Sequence, residues 1–133
     1  MPRYSKESQS KLNTCHEDIQ KVFNEVIRWF DNTIIYGRRG KEEQNAAYAS
    51  GNSKLQYPYS KHNKTPSMAV DAIPYPINWN DRERMTLFAG FVLGIASKFG
   101  IKLRWGGDWS MDWQVQNNSF DDLAHFELVV MDD

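Results

Sequence analysis

The chain is organised around residues 60–71, whose sequence is SKHNKTPSMAVD. This segment contains His62, one of 3 histidines among 133 residues. It then passes through Pro66 and Ser67, which favour a turn, into a short apolar run that ends at Asp71. A second segment, DLAHFE, occupies residues 122–127 and also combines a histidine with carboxylates. The rest of the chain is interpreted around these two segments.

The hydrophobic periodicity places regular structure on both sides of each segment. Helices are predicted at residues 8–31, 41–50 and 81–99. Short strands are predicted at residues 33–36, 68–75, 101–105 and 124–131. Residues 51–67 are a long polar loop, which in a small domain is usually functional or disordered. This order predicts a small α+β domain with a short antiparallel or mixed sheet packed against about three helices.

The composition excludes several classes of protein. A net charge of -1 and a pI near 6.3 give no reason to expect nucleic-acid binding. The single cysteine, Cys15, excludes an intramolecular disulfide and a cysteine-based zinc finger. No apolar run approaches the roughly 20 residues that span a membrane, and the polar start lacks the apolar region of a secretory signal. We expect residues 1–133 to be one domain, made in the cytosol and monomeric.

Three residues of the two segments are candidate ligands of one metal ion, namely His62, Asp71 and His125. A catalytic zinc site typically takes three ligands from histidine and carboxylate and leaves one position for water. The two segments supply such a set if their strands are neighbours. A histidine and an aspartate nine residues apart are nevertheless a weak signal by themselves. By ligand count alone, the set also matches a non-haem iron site.

Several motifs together resemble a known zinc signature. They are SKH at 60–62, AVD at 69–71, DLAHFE at 122–127, GRR at 37–39, EQN at 43–45 and WGGDW at 105–109. This set is similar to that of the VanY-like D-alanyl-D-alanine carboxypeptidases and of the phage L-alanyl-D-glutamate endopeptidases (endolysins) in the same superfamily. The resemblance covers residues 33–130. The chain departs from it between His62 and Asp71, where the interval is longer and Pro66-Ser67 replaces a glycine.

The resemblance implies a role for each matched residue. His62, Asp71 and His125 would bind one zinc ion in a cleft at the sheet. Asp122, rather than its neighbour Asp121, would accept a proton from the attacking water and pass it to the leaving amine. Arg39 would stabilise the negative charge of the tetrahedral intermediate.

Further matched residues are expected around the ligands. Ser60 would contact a ligand or the substrate. Glu127 would either orient a ligand or be an ordinary surface carboxylate. Asp108, Trp105 and Trp109 would shape the cleft, although core packing is the alternative for the two tryptophans. Residues 63–68 are expected to form one wall of the cleft.

The resemblance further implies a zinc metallopeptidase that cleaves the stem peptide of bacterial peptidoglycan. Two cleavage sites are open, the L-Ala–D-Glu bond of the endolysins and the terminal D-Ala removed by the carboxypeptidases. The lack of a predicted signal favours a phage endolysin that stays in the host cytoplasm until a holin pore releases it. No separate wall-binding domain is expected. A noncatalytic module that binds wall peptides is the alternative from another class.

Overall fold

Four α-helices and a four-stranded sheet form the fold in the computed structural model, which describes residues 1–129. The helices are α1 (Lys6–Leu12), α2 (Glu17–Val26), α3 (Lys41–Ala49) and α4 (Arg82–Lys98). The strands are β1 (Asn32–Tyr36), β2 (Ala69–Pro74), β3 (Leu103–Gly106) and β4 (Asp122–Leu128). A single 3-10 turn, Lys61–Asn63, precedes β2. The predicted α+β class is therefore confirmed.

The sheet has the strand order β1-β2-β4-β3, and each neighbouring pair is antiparallel. The sheet is thus antiparallel rather than mixed. The two central strands, β2 and β4, carry Asp71 and His125. The neighbouring strands on which the metal hypothesis depends are therefore present.

Helices α1, α2 and α4 cover one face of this sheet. The ring of Phe126 on β4 packs edge-on against Phe23 of α2 and Phe88 of α4, with centroid distances of 5.6 and 6.1 Å. Because successive side chains of a strand point to opposite faces, His125 and Glu127 point away from this aromatic cluster. These helices thus cover the apolar face of the sheet, and polar side chains lie on the opposite face.

The first predicted helix is wrong as a single element, because residues 8–31 contain two helices. Around residues 13–16 the backbone turns away and pairs with a distant residue. The Ser67 N–H donates to the Thr14 carbonyl at 2.9 Å, and the His16 N–H donates to the Ser67 carbonyl at 2.8 Å. His16 then caps α2, since its Nδ1 accepts a hydrogen bond from the Asp18 N–H at 3.0 Å. These long-range bonds replace helical ones, and periodicity does not reveal them.

The other elements lie within a few residues of their predicted bounds. Asp81 caps α4 by accepting from the Arg84 N–H, and Gly100, with φ +71°, ends that helix. The last strand begins at Asp122, and the end of its predicted range lies outside the described residues. Within residues 1–129, no helix has both the length and the apolar character needed to cross a membrane.

Candidate active site

Three metal-ligating atoms converge on the polar face of the sheet. His62 Nε2 lies 3.1 Å from Asp71 Oδ1 and 3.2 Å from His125 Nδ1, and the last two atoms are 3.2 Å apart. All three side chains are buried. Zinc–nitrogen distances of about 2.0–2.1 Å in a tetrahedron give edges of roughly 3.3–3.4 Å. The triangle therefore has the size that a small tetrahedral ion requires.

Strand register and one short turn bring these side chains together. Asp71 and His125 are direct cross-strand partners in the β2–β4 pair, so their side chains lie side by side on one face. His62 comes from the 3-10 turn, which begins at Ser60. The hydroxyl of Ser60 accepts a hydrogen bond from the His62 N–H at 3.2 Å. Ser60 therefore fixes the backbone of a triad residue.

The outward nitrogen of each histidine has a hydrogen-bond acceptor. His62 Nδ1 lies 2.8 Å from the Gly37 carbonyl oxygen, and His125 Nε2 lies 2.9 Å from Glu127 Oε1. Both outward nitrogens must carry hydrogen to donate to these oxygens. In the neutral imidazoles, the inward nitrogens then present lone pairs to a carboxylate oxygen. Three electron-rich atoms facing one point are the donor set of a cation site.

The electrostatics of the triad also favour a positive charge at its centre. Burial alone lowers the pKa of His125, but its hydrogen bonds with Asp71 and Glu127 raise the pKa to about 9. Burial alone raises the pKa of Asp71, yet the neighbouring histidines bring it well below its usual range. The buried Asp71 carboxylate thus favours a positive charge, either a proton or a metal ion, between the three side chains.

Arg39 supports the triad from the side of Asp71. Its Nη2 donates to Asp71 Oδ2 at 2.9 Å, which leaves Oδ1 to face the histidines. Its Nη1 donates to Gln44 Oε1 at 3.3 Å, and its guanidinium lies 4.5 Å from the centroid of the Tyr36 ring. The Arg39 backbone N–H also donates to the His62 carbonyl at 2.8 Å. Arg39 is therefore joined to two members of the triad.

Glu127 supports the triad from the side of His125. This carboxylate is buried, so it is not a surface residue. Its Oε1 faces His125, while its Oε2 pairs with Lys61 Nζ at 3.0 Å and with Arg104 Nη2 at 2.8 Å. Burial raises the pKa of Glu127, but the hydrogen bonds with His125, Arg104 and Lys61 outweigh it and lower the pKa to about 2. Glu127 is therefore ionised beside His125.

Two adjoining cavities of about 360 and 370 Å³ flank the triad. His62 and His125 line the first cavity, and Asp71 lines the second. Three residues, Arg39, Asn52 and Asp122, line both cavities. The two cavities together are called the cleft below, and the triad lies along its floor.

Asp122 and Asp121 have different surroundings although they are adjacent. Asp122 lines both parts of the cleft, and burial together with the nearby charge of Asp71 raises its pKa to about 6. Asp121 instead pairs with Arg82 at 2.7 Å and accepts a hydrogen bond from Asn118 Nδ2 at 2.8 Å, and it lines neither part of the cleft. Of the two candidate carboxylates, the structure therefore brings Asp122 to the cleft.

Three residues of the WGGDW motif were expected at the cleft, and the structure places only one of them there. The Trp109 ring lies 5.5 Å from the His125 ring and lines the cleft. Trp105 is a core residue, and its Nε1 donates to the Leu123 carbonyl at 2.8 Å. Asp108 accepts a hydrogen bond from the Trp113 N–H at 2.8 Å and thereby holds the following turn. Neither Trp105 nor Asp108 lines the cleft, and Trp105 follows the core-packing alternative.

The loop at residues 63–68 does not form the expected wall. Ser67 pairs with the turn between α1 and α2, and the Thr65 hydroxyl accepts from Arg38 Nε at 2.8 Å. The wall comes instead from the preceding part of the polar loop, with Asn52, Ser53, Lys54, Leu55 and Tyr59. The longer interval between His62 and Asp71 therefore extends away from the cleft.

Three residues of the site were not predicted from the sequence. Lys61 and Arg104 contact Glu127, and buried Gln44 contacts Arg39. Strand alternation offers a signal for Arg104, because it lies between Leu103 and Trp105, which both point into the core. Lys61 and Gln44 lie within the SKH and EQN motifs, but these motifs do not indicate what the two side chains contact, because their partners are distant in the sequence.

Comparison with known proteins gives consistent matches over nearly the whole chain. A family model described as phage L-alanyl-D-glutamate peptidase matches residues 1–129. The L-alanyl-D-glutamate peptidase of Escherichia phage T5 is 32% identical over 136 residues, covering 96% of this chain and 98% of that protein.

A solved structure shares the fold. The crystal structure of the Serratia marcescens L-Ala D-Glu endopeptidase ChiX aligns with a TM-score of 0.74 at 24% identity. The alignment covers 96% of this chain and 90% of that one. Since the family model spans residues 1–129 and the phage T5 relative matches along almost its full length, this chain belongs to the phage L-alanyl-D-glutamate peptidase family.

Proposed function

We propose that this chain is a zinc-dependent endopeptidase that hydrolyses the L-Ala–D-Glu bond in the stem peptide of bacterial peptidoglycan. The observation that carries the proposal is the convergence of His62, Asp71 and His125 beneath a cleft that Asp122 also lines. Family membership and the L-alanyl-D-glutamate peptidase activity named for the phage T5 relative support the choice of bond and substrate class.

The triad would hold one zinc ion per chain through His62 Nε2, Asp71 Oδ1 and His125 Nδ1. When bound, zinc supplies a Lewis acid that lowers the pKa of water and polarises a carbonyl group. Two histidines and one carboxylate are a common ligand set of catalytic zinc sites. Glu127 would keep His125 in the ligating tautomer, as carboxylates behind metal-binding histidines generally do.

Asp122 would act as general base and then as general acid. It would accept a proton from the attacking water and deliver that proton to the nitrogen of the leaving amine. Its pKa, raised by burial to about 6, lies close to neutral pH, where a group exchanges protons in both directions most effectively. Asp121 is tied to Arg82 and would take no part in the reaction.

Other residues of the cleft would stabilise charge and hold the site in shape. Arg39 would offer its positive charge to the tetrahedral intermediate, besides holding Asp71. Ser60 would keep His62 in place through its backbone, and Trp109 would cover the ring of His125. These residues would thus keep the charged groups and the triad in the positions that the reaction requires.

The shape of the cleft favours an endopeptidase over a carboxypeptidase. Cavities of about 360 and 370 Å³ lie next to the triad, so the cleft would accommodate a peptide that continues beyond the scissile bond. A carboxypeptidase needs room for only one terminal residue on the leaving side. The terminal D-Ala is therefore the less favoured of the two substrates.

The site of action is a further part of the proposal. The chain would remain in the host cytoplasm until a phage holin opens the membrane, and would then act on the wall as a monomer. Residues 1–133 would serve as a single catalytic domain. Light scattering of the purified protein tests the monomer, and lysis with and without a holin tests the release.

The direct test is digestion of purified peptidoglycan, followed by mass spectrometry of the fragments with and without a chelator. We expect new L-Ala carboxyl ends and D-Glu amino ends, both lost when the metal is removed. Release of free D-Ala instead would favour the carboxypeptidase. No cleavage, together with less than about half a zinc per chain after dialysis, would favour the noncatalytic wall-binding module.

The matched pair Asp122→Ala and Asp121→Ala tests the assignment of the base. We expect Asp122→Ala to lose hydrolysis by about 10²-fold or more, the usual size of a general-base contribution, while it retains zinc. Asp121→Ala should keep activity, because its carboxylate lines neither part of the cleft and contacts Arg82 and Asn118 instead. The reverse result would assign the base to Asp121.

A further inference from the structure

Four cationic side chains line the cavity that contains His62 and His125, and three of them pair with carboxylates. Arg39 pairs with Asp71 at 2.9 Å, while Lys61 and Arg104 share Glu127 at 3.0 and 2.8 Å. The fourth is Lys54. Within residues 1–129 Lys54 forms no ion pair, so it is the cation that the cleft leaves available to a substrate.

The position of Lys54 in the cleft is defined by an aromatic neighbour. Its Nζ lies 4.3 Å from the centroid of the Phe120 ring. The Phe120 carbonyl accepts a hydrogen bond from Trp109 Nε1 at 2.7 Å, and the Trp109 ring lies against His125. A continuous series of contacts therefore connects the ammonium group of Lys54, through Phe120 and Trp109, with His125 of the triad.

The backbone on both sides of Lys54 is anchored to the interior. Buried Gln44 donates from its Nε2 to Ser53 Oγ at 2.9 Å and to the Leu55 carbonyl at 2.6 Å. The oxygen of the same amide accepts from Arg39 and from Asn63 Nδ2, each at 3.3 Å. The Lys54 loop is thus fixed relative to the triad, so its charge is presented at a defined place.

The substrate of the proposed function brings a negative charge next to the bond that is cut. A glutamyl residue has two carboxyl groups, and one of them stays free when the peptide continues through the other. An ammonium group binds a carboxylate through charge-assisted hydrogen bonds, which are stronger than neutral ones. We propose that Lys54 is a specificity-determining residue that binds this free glutamyl carboxylate, an inference that rests on the proposed function.

The test compares two synthetic stem peptides that differ only at this group. One carries the free glutamyl carboxylate, and in the other that group is an uncharged amide. For the wild-type enzyme, we expect kcat/KM to be roughly ten-fold higher on the carboxylate peptide, the size of one charged hydrogen bond. Lys54→Gln should remove this preference by raising KM on the carboxylate peptide alone, and Lys54→Arg should retain most of it.

Control variants separate the possible outcomes. Lys41→Gln changes an exposed lysine that does not line the cleft and should keep the wild-type preference. Equal losses on both peptides in Lys54→Gln, or an unchanged preference, would overturn the inference while leaving the proposed function intact. Failure of the wild-type enzyme to cut either peptide would overturn the proposed function, and the inference with it.

Discussion

Asp122 is a carboxylic acid on which opposing electrostatic effects act. Burial and the charge of Asp71 favour its neutral form and raise its pKa to about 6, while His125, His62 and Arg39 favour the anion. A divalent cation in the triad would add to the second group of effects, because a nearby positive charge stabilises the carboxylate. The pKa in the metal-loaded enzyme should therefore be at or below about 6.

This environment predicts the acidic side of the pH profile. Below its pKa, Asp122 is protonated and cannot accept a proton, so kcat/KM should rise with pH, with a midpoint at or below about 6, and level off above that midpoint. Kinetics on a soluble wall peptide will measure the profile. Zinc content determined at each pH separates protonation of Asp122 from loss of the ion. A midpoint well above 6 with full zinc occupancy would contradict the assignment.

Glu127 permits a prediction about metal affinity rather than about chemistry. Glu127→Gln leaves His125 with a neutral acceptor and leaves Lys61 and Arg104 without their shared negative charge. We expect zinc affinity to fall by roughly 10- to 100-fold, as is usual when the acceptor behind a metal-binding histidine is changed. Competition with a chromophoric chelator will measure the affinity.

The control for this prediction is Glu25→Gln. Glu25 pairs with Arg28 at 3.2 Å on the surface of α2, and it does not line the cleft. Its replacement removes the same charge from the chain and should leave zinc affinity unchanged. If Glu127→Gln binds zinc as tightly as the wild type, Glu127 does not act through His125.

Single residues differ in how far the sequence predicts them. His62, Asp71 and His125 belong to a motif that resembles a known zinc signature, and the structure brings their ligating atoms together. Trp105 and Asp108 belong to an equally recognisable motif but serve the core and a turn. A motif thus predicts which segments come near a site, whereas the tertiary fold decides which of their side chains point into it.

At the level of elements, Gly37 marks a point of close approach between the end of β1 and the turn after α1. A methyl group at Gly37 would overlap the Lys11 carbonyl oxygen and the Thr14 hydroxyl. The Gly37 carbonyl also accepts the hydrogen bond of His62 Nδ1 at 2.8 Å. One backbone segment therefore connects the packing of α1 with the orientation of a triad histidine.

Gly37→Ala should destabilise the fold by about 1–3 kcal/mol, the usual cost of forcing extra atoms into a packed region. Gly90→Ala is the matched control, because Gly90 lies on an exposed part of α4 with open space around its Cα. That change should be stabilising by up to about 1 kcal/mol, since alanine is the better helix former. Urea unfolding of metal-free protein measures both. Equal stability of the two variants would disprove the close approach.

The same region explains why the first helix was not predicted correctly. The apolar period runs across residues 8–31, so periodicity alone favours one continuous helix. The Thr14 carbonyl instead accepts a backbone hydrogen bond from Ser67, and the His16 N–H donates one to Ser67, which lies about 50 residues away in the chain. A contact of this range outweighs local preference and leaves little trace in the local sequence.

At the level of the whole molecule, the class of fold is predictable and the strand pairing is not. Alternating helices and short strands indicate an α+β domain, and the structure has one. The pairing of β2 with β4 joins segments that are far apart in sequence, with Asp71 opposite His125. Shifting that register by one residue would turn one of these side chains to the helical face.

Because the triad draws on the 3-10 turn, β2 and β4, a bound ion would connect distant parts of the chain and stabilise the native state. Zinc at 100 times its dissociation constant should add about 2.7 kcal/mol, or roughly 10 °C in Tm for a domain of this size. Calorimetry with zinc and with a chelator will measure the shift. His16→Asn, outside the triad, should keep it, and His62→Ala should lose it. A shift that survives in His62→Ala would place the ion elsewhere.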